Sequence, residues 1–138
     1  MMTYKVAAYL RLSKEEYSNE KESNSITNEK LKLIISKEEL MKVVTICGSM
    51  KFKDKMMEVA RDLEIKNKYV VIQCVYSNDK FNEEEQVLLA DLHYKKIDIS
   101  DAIYVVNVDG YIGTSTKKEI EYAKSLNKEI FSLEPLNY

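Results

Sequence analysis

The chain has 138 residues, 45% hydrophobic and 32% charged, with a net charge of −2. That length suits one compact domain, and the lack of a positive field argues against bulk nucleic-acid binding. No apolar stretch reaches the roughly 20 residues that cross a bilayer, and Arg11 interrupts the one near the N-terminus, so no signal peptide is expected there.

In chain order, Tyr4 to Ser13 reads as a strand. A polar, acidic stretch from Lys14 to Asn28 comes next, without apolar period, and reads as loop or disorder. Glu29 to Met41 has helical spacing. From Lys42 the pattern becomes regular. Val43–Cys47 is a β-branched run ending at Gly48-Ser49, and Phe52 to Ile65 is a helix with Phe52, Met56, Val59, Ala60 and Leu63 on one side. Tyr69–Val75 is a second buried strand. Asn82 and Glu85 have the spacing of a capping box, opening a helix that runs to about Ile97. Ala102–Val108 is a third strand, followed by a glycine loop, a helix within Gly113–Lys128, and a fourth strand at Glu129–Leu133.

The predicted fold class is therefore α/β: a parallel sheet flanked by helices, of the Rossmann or flavodoxin-like kind. Residues 1–41 form an N-terminal extension and 42–138 the main domain. Ligands of such sheets bind outside the carboxyl ends of the strands. Two loops lie there. Gly48-Ser-Met-Lys51 combines a close-approach glycine, a helix N-terminus and a lysine able to reach a phosphate. Asp109 to Ser115 contains Gly113-Thr-Ser-Thr116, whose hydroxyls suit either a helix cap or a phosphate or ribose. Gly48, Ser49, Met50, Lys51, Asp109, Gly113, Thr114 and Ser115 are thus the candidate binding residues.

Glu119 stands out. At about 100° per residue it falls inside the apolar arc of Ile120, Ala123 and Leu126, near Ala123 and Leu126. Glu121, Lys117, Lys118, Lys124 and Ser125 point elsewhere. A carboxylate on a buried stripe must be paired or used. His93, the sole histidine, lies between Leu89 and Ile97, away from the charged face of its helix. The residue types leave two readings open for it, a satisfied core histidine or a functional one. Asp101 reads as an acceptor for backbone N–H groups. Cys47 and Cys74 sit in apolar runs and read as buried free thiols of a reducing cytosol. No Cys/His spacing resembles a zinc site, and neither metal nor cofactor is expected.

Residues from about Val43 to Pro135 resemble the nucleoside 2-deoxyribosyltransferase-like superfamily, which includes nucleotide N-glycosidases. The resemblance rests on Cys47-Gly-Ser-Met-Lys51, on Asp98-Ile-Ser-Asp-Ala-Ile-Tyr-Val-Val106, on Gly113 to Ala123 and on Asn127-Lys-Glu-Ile130. It implies that Glu119 attacks C1′ of a (deoxy)ribose and releases the base, with water or another base then taking the sugar. Family members usually carry an aspartate about eight residues before the Asp101 equivalent. Here that position is His93, which a near-neutral pKa would let protonate a leaving base, with Asp98 as the fallback acid. Members often have a tyrosine in strand one that positions the nucleophile; here the residues are Thr45 and Ile46. The resemblance also implies a homodimer or higher homo-oligomer.

A second resemblance covers Tyr4 to about Leu33. Tyr9-Leu-Arg-Leu-Ser13, then Glu22-Ser-Asn-Ser-Ile26 and Asn28, is similar to the start of a serine recombinase catalytic domain, in which Ser13 would attack DNA phosphate with help from Arg11. That family needs further arginines downstream, and beyond Arg11 only Arg61 remains. The expectation is a recombinase fragment without recombinase activity, of mobile-element or phage origin. The chain is thus expected to be a cytoplasmic enzyme acting on a nucleoside or nucleotide, with no membrane or stable nucleic-acid partner. The alternatives are a nucleotide-binding module without chemistry and an interaction protein.

Overall fold

The computed structural model describes residues 41–137, with Asn28 and Lys30, which are helical. The chain divides into two units, Met1–Met41 and Lys42–Tyr138, and the sheet belongs to the second. Apart from Asn28 and Lys30, the recombinase-like stretch, with Arg11 and Ser13, lies outside the described residues, as do the expected strand Tyr4–Ser13 and most of the helix Glu29–Met41.

In the second unit, among the described residues, four strands and three α-helices alternate: β1 (Val43–Gly48), α1 (Lys53–Asn67), β2 (Val70–Ile72), α2 (Glu83–Asp98), β3 (Ala102–Val106), α3 (Thr114–Ser125) and β4 (Glu129–Ser132). The sheet order is β2-β1-β3-β4, and every pairing is parallel. The expected α/β fold class is thus observed. Right-handed crossovers that run first one way and then the other must place their helices on opposite faces. The packing agrees. Val44 and Ile46 of β1 meet Met56, Val59, Ala60 and Leu63 of α1. Cys47, on the other face of the same strand, packs with Ile97 of α2 and with Ile120 and Ala123 of α3.

Local chemistry sets the helix ends. At α2 the Glu85 N–H donates to Asn82 Oδ1 at 2.8 Å and the Asn82 N–H to Glu85 Oε1 at 3.3 Å, the expected capping box. Glu83, Glu84 and Glu85 occupy its first turn and Lys95 and Lys96 its last, each sign facing the opposite end of the helix dipole. Asn82→Ala removes the cap, and a loss of about 1 kcal/mol is expected in urea unfolding. α1 ends where Lys68 turns left-handed at φ 59°, and Asn127 does the same after α3 at φ 55°.

Two expected strands are shorter than their apolar runs. β2 pairs only through Val70–Ile72, because among the described residues its one neighbour is β1 and their register ends at Thr45↔Ile72. β3 stops at Val106, and the chain then winds into a 3₁₀ turn over Val108–Gly110 with Asp109 at φ 55°. Leu126, expected on the buried arc of α3, is 40% exposed. It lies one residue beyond the last helical turn, where the arc no longer faces the sheet.

Candidate functional site

The strand order reverses between β1 and β3, and the loops leaving their carboxyl ends part there. A cleft of about 460 Å³ opens at that edge, within the range of small-molecule sites. The end of β1 contributes Gly48, Ser49 and Met50. Cys74, Val75 and Phe81 come from the segment after β2. One side of α2 gives Gln86, Leu89, Ala90, His93 and Lys96, and the start of α3 gives Gly113, Thr114, Ser115, Thr116 and Glu119. Gly48 is favoured by packing as well as by access, since a Cβ there would press on Val106 O at 3.2 Å and Met56 Sδ at 3.3 Å.

Glu119 occupies the second turn of α3 with its side chain 16% exposed. Its neighbours on the same stripe, Thr116, Ile120 and Ala123, are buried. Burial pushes the carboxyl up to about 7, against a hydrogen bond from the Cys47 thiol that pulls it down. His93 Nε2 is 3.6 Å from Glu119 Oε2 and 3.4 Å from Cys47 Sγ. Burial, aided by the charge of Lys96, pushes the imidazole down to about 4. The His93–Glu119 contact is therefore not an ion pair at neutral pH, because the imidazole carries no charge. That corrects the expected near-neutral pKa. A histidine with so low a pKa is neutral at pH 7 and a poor acid for a leaving base.

The cysteines are both free thiols; Cys47 is buried, as expected, whereas Cys74 is only half-buried, and neither is inert filling. Cys47 forms part of the site floor. Burial first, and Glu119 second, hold its thiol well above the ordinary range, so it serves as a donor rather than as a nucleophile. Cys74 Sγ stands 4.0 Å from the other ring nitrogen, His93 Nδ1, and burial pushes that thiol to about 11. A buried hydroxyl node holds α2 in place. Thr45 Oγ1 and Ser100 Oγ lie 2.6 Å apart, and they donate to Lys96 O at 3.1 and 2.7 Å respectively. This node fixes α2 against β1 one turn beyond His93 and so sets the ring over Cys47.

The N-terminus of α3 faces the cleft uncapped. Gly113 is the N-cap residue and has no side chain with which to cap the helix. The Thr114 and Ser115 hydroxyls lie inside the first turn, so the capping role considered for them falls away. Free backbone N–H groups at a helix start, with hydroxyls beside them, favour an anionic or hydroxylic ligand.

Three sequence candidates lie elsewhere. Lys51 Nζ sits 3.1 Å from the centre of the Tyr111 ring and 5.1 Å from that of Phe52, so cation–π attraction draws it away from the cleft. Asp98 accepts a hydrogen bond from Tyr122 Oη at the far end of α2, beside the amino ends of the strands. Asp109 belongs to the turn after β3 and is not part of the cleft wall. Asp101, by contrast, accepts from the Val43 N–H at 2.8 Å, the structural role expected of it. Sequence reasoning missed Cys74, Thr116, Gln86 and Lys96 as cleft residues, and Cys47 buried beneath them. Lys96 carried a signal, one helical turn from His93, but its Nζ is also held by Gln73 O at 2.8 Å.

No family model matches the chain, and no curated protein matches it. Among solved structures it is similar to a conserved protein from Enterococcus faecalis V583, with 12% identity and a TM-score of 0.48 over 67% of this chain. The chain spans 62% of that protein's length. Among the described residues no helix is long and apolar enough to cross a membrane.

Proposed function

We propose that the protein cleaves or transfers the N-glycosidic bond of a nucleoside or nucleoside 5′-phosphate through Glu119, as its resemblance to the nucleoside 2-deoxyribosyltransferase-like superfamily implies. The supporting observation is the placement of Glu119: a carboxyl largely withdrawn from water, yet lining a cleft at the switch point of the sheet.

In this reading the Glu119 carboxylate attacks C1′. A C1′–O bond forms, the C1′–N bond breaks, and the base leaves with its electron pair and takes a proton from solvent water. Water or a second base then displaces the sugar from Glu119. The Cys47 thiol donates a hydrogen bond that orients the carboxylate. The neutral His93 ring keeps a lone pair at pH 7 and can accept a hydrogen bond from the incoming water. Ser49, Thr114 and Ser115, with the free N–H groups of α3, face the sugar hydroxyls or a 5′-phosphate.

Incubation with a panel of nucleosides and nucleotides, with free base read by chromatography, tests the proposal. Release of base from at least one member is the expected result. Saturable binding with no base released over long incubation would instead identify a nucleotide-binding module.

A further inference from the structure

We propose that Cys47 Sγ, His93 Nε2 and a Glu119 carboxylate oxygen form a three-ligand site for a thiophilic divalent cation of the Zn²⁺ class, with the remaining coordination position open to the cleft.

The three donor atoms lie within 4.8 Å of one another. Tetrahedral zinc with bonds of about 2.0–2.3 Å places its donors roughly 3.3–3.6 Å apart. The Cys47–His93 edge is 3.4 Å and the His93–Glu119 edge 3.6 Å. The second of these exceeds an ordinary N–H···O hydrogen bond of about 2.9–3.0 Å, so the gap suits a bridging metal better than a bridging proton. Thiolate with imidazole and carboxylate selects zinc-like ions over magnesium or calcium, which prefer oxygen alone.

Charge agrees with geometry. A thiolate and a carboxylate around a dication sum to zero, the state that burial penalises least. Cys47 is fully buried beneath the site, while His93 and Glu119 line the cleft, so the open position faces the side from which a ligand enters. Three protein donors and one exchangeable position is the pattern of zinc sites that take up substrate or water. Cys74 stands behind the ring at Nδ1, where a partner fixes ring orientation. The site is invisible in the sequence because its donors come from β1, α2 and α3.

One consequence rests on the function proposed above. A cation held by one Glu119 oxygen draws electron density from the carboxylate and occupies the cleft side of the site, so cation and substrate compete for Glu119.

Cobalt supplies the test, because a Co²⁺–thiolate bond absorbs in the near ultraviolet and a four-coordinate Co²⁺ site absorbs strongly in the visible. The sequence has one histidine and two cysteines, so the ligands are separable. The full chain, stripped with a chelator and titrated with Co²⁺, should develop both sets of bands at one ion per chain, and excess Zn²⁺ should bleach them. Cys74→Ser should retain the bands. Cys47→Ser should lose the thiolate band and weaken Zn²⁺ binding, read by calorimetry, by more than the ~10–100-fold typical of losing an outer partner. Glu119→Gln, which keeps shape and removes a buried charge, should weaken it comparably and provides a second variant should Cys47→Ser fail to fold. A pale six-coordinate spectrum, or bands unchanged in Cys47→Ser or Glu119→Gln, would overturn the site. The spectrum needs no turnover, so this result stands apart from the base-release assay.

Discussion

Glu119→Gln is expected to lose base release by on the order of 10³-fold or more on every substrate the wild type cleaves, as removal of a covalent nucleophile does. The same variant should be more stable than wild type at pH 8. Burial holds the Glu119 carboxyl up near 7, so ionisation above that pH is disfavoured by the fold and glutamine removes the penalty. Loss of activity with a gain in stability separates a catalytic carboxylate from a structural one, whose removal would lower both. In the wild type, kcat/KM should rise with pH through about 7 as the carboxylate forms. Acid quenching during turnover should leave one sugar on Glu119, read by mass spectrometry. Retained turnover in Glu119→Gln sinks the nucleophile assignment.

The second large effect concerns pH and stability, measured with a chelator present. Glu119 has a folded pKa of about 7 against an ordinary 4.5, so the folded state keeps a proton that the unfolded chain releases. Its contribution falls as pH rises from about 4.5 to about 7, by roughly 3 kcal/mol in all. His93 has the opposite sign. Its folded pKa is about 4 against an ordinary 6.5, so the unfolded chain binds a proton the folded state refuses. Stability is lost as pH falls from about 6.5 to about 4, by a similar roughly 3 kcal/mol. Between about 4.5 and 6.5 the two slopes cancel, because folding transfers a proton from one side chain to the other. Each single variant should expose the hidden slope. Relative to wild type, Glu119→Gln should lose stability as pH falls through that window, and His93→Gln should lose it as pH rises. Urea midpoints at several pH values measure this, and three parallel profiles would refute it.

The alternation of strands and helices was legible because each apolar run is bounded by a turn or a cap, and Asn82 with Glu85 shows how local that information is. Glu119 was legible for the same reason. Helical periodicity is a property of a few neighbouring residues, and it assigns Glu119 to the stripe of Ile120 and Ala123. The ends of β2 and β3 were not, because pairing partners rather than apolar character set them. Lys51 was misplaced because Tyr111, which holds it, is distant in the chain. Cys47 and His93 are separated by 46 residues, and only the completed sheet brings thiol and imidazole within reach.

One helix, α3, presents both the uncapped turn at Thr114 and Ser115 and the carboxyl at Glu119. A rigid helix rises about 1.5 Å per residue, so anchor and reacting group are held a fixed step of roughly 7 Å apart. On the proposed reading α3 is a ruler. A nucleoside carrying a single phosphate spans one sugar ring and one ester link, and can touch both marks. A longer phosphate chain anchored by its far end would carry C1′ past Glu119, and monophosphates should accordingly be cleaved in preference to triphosphates.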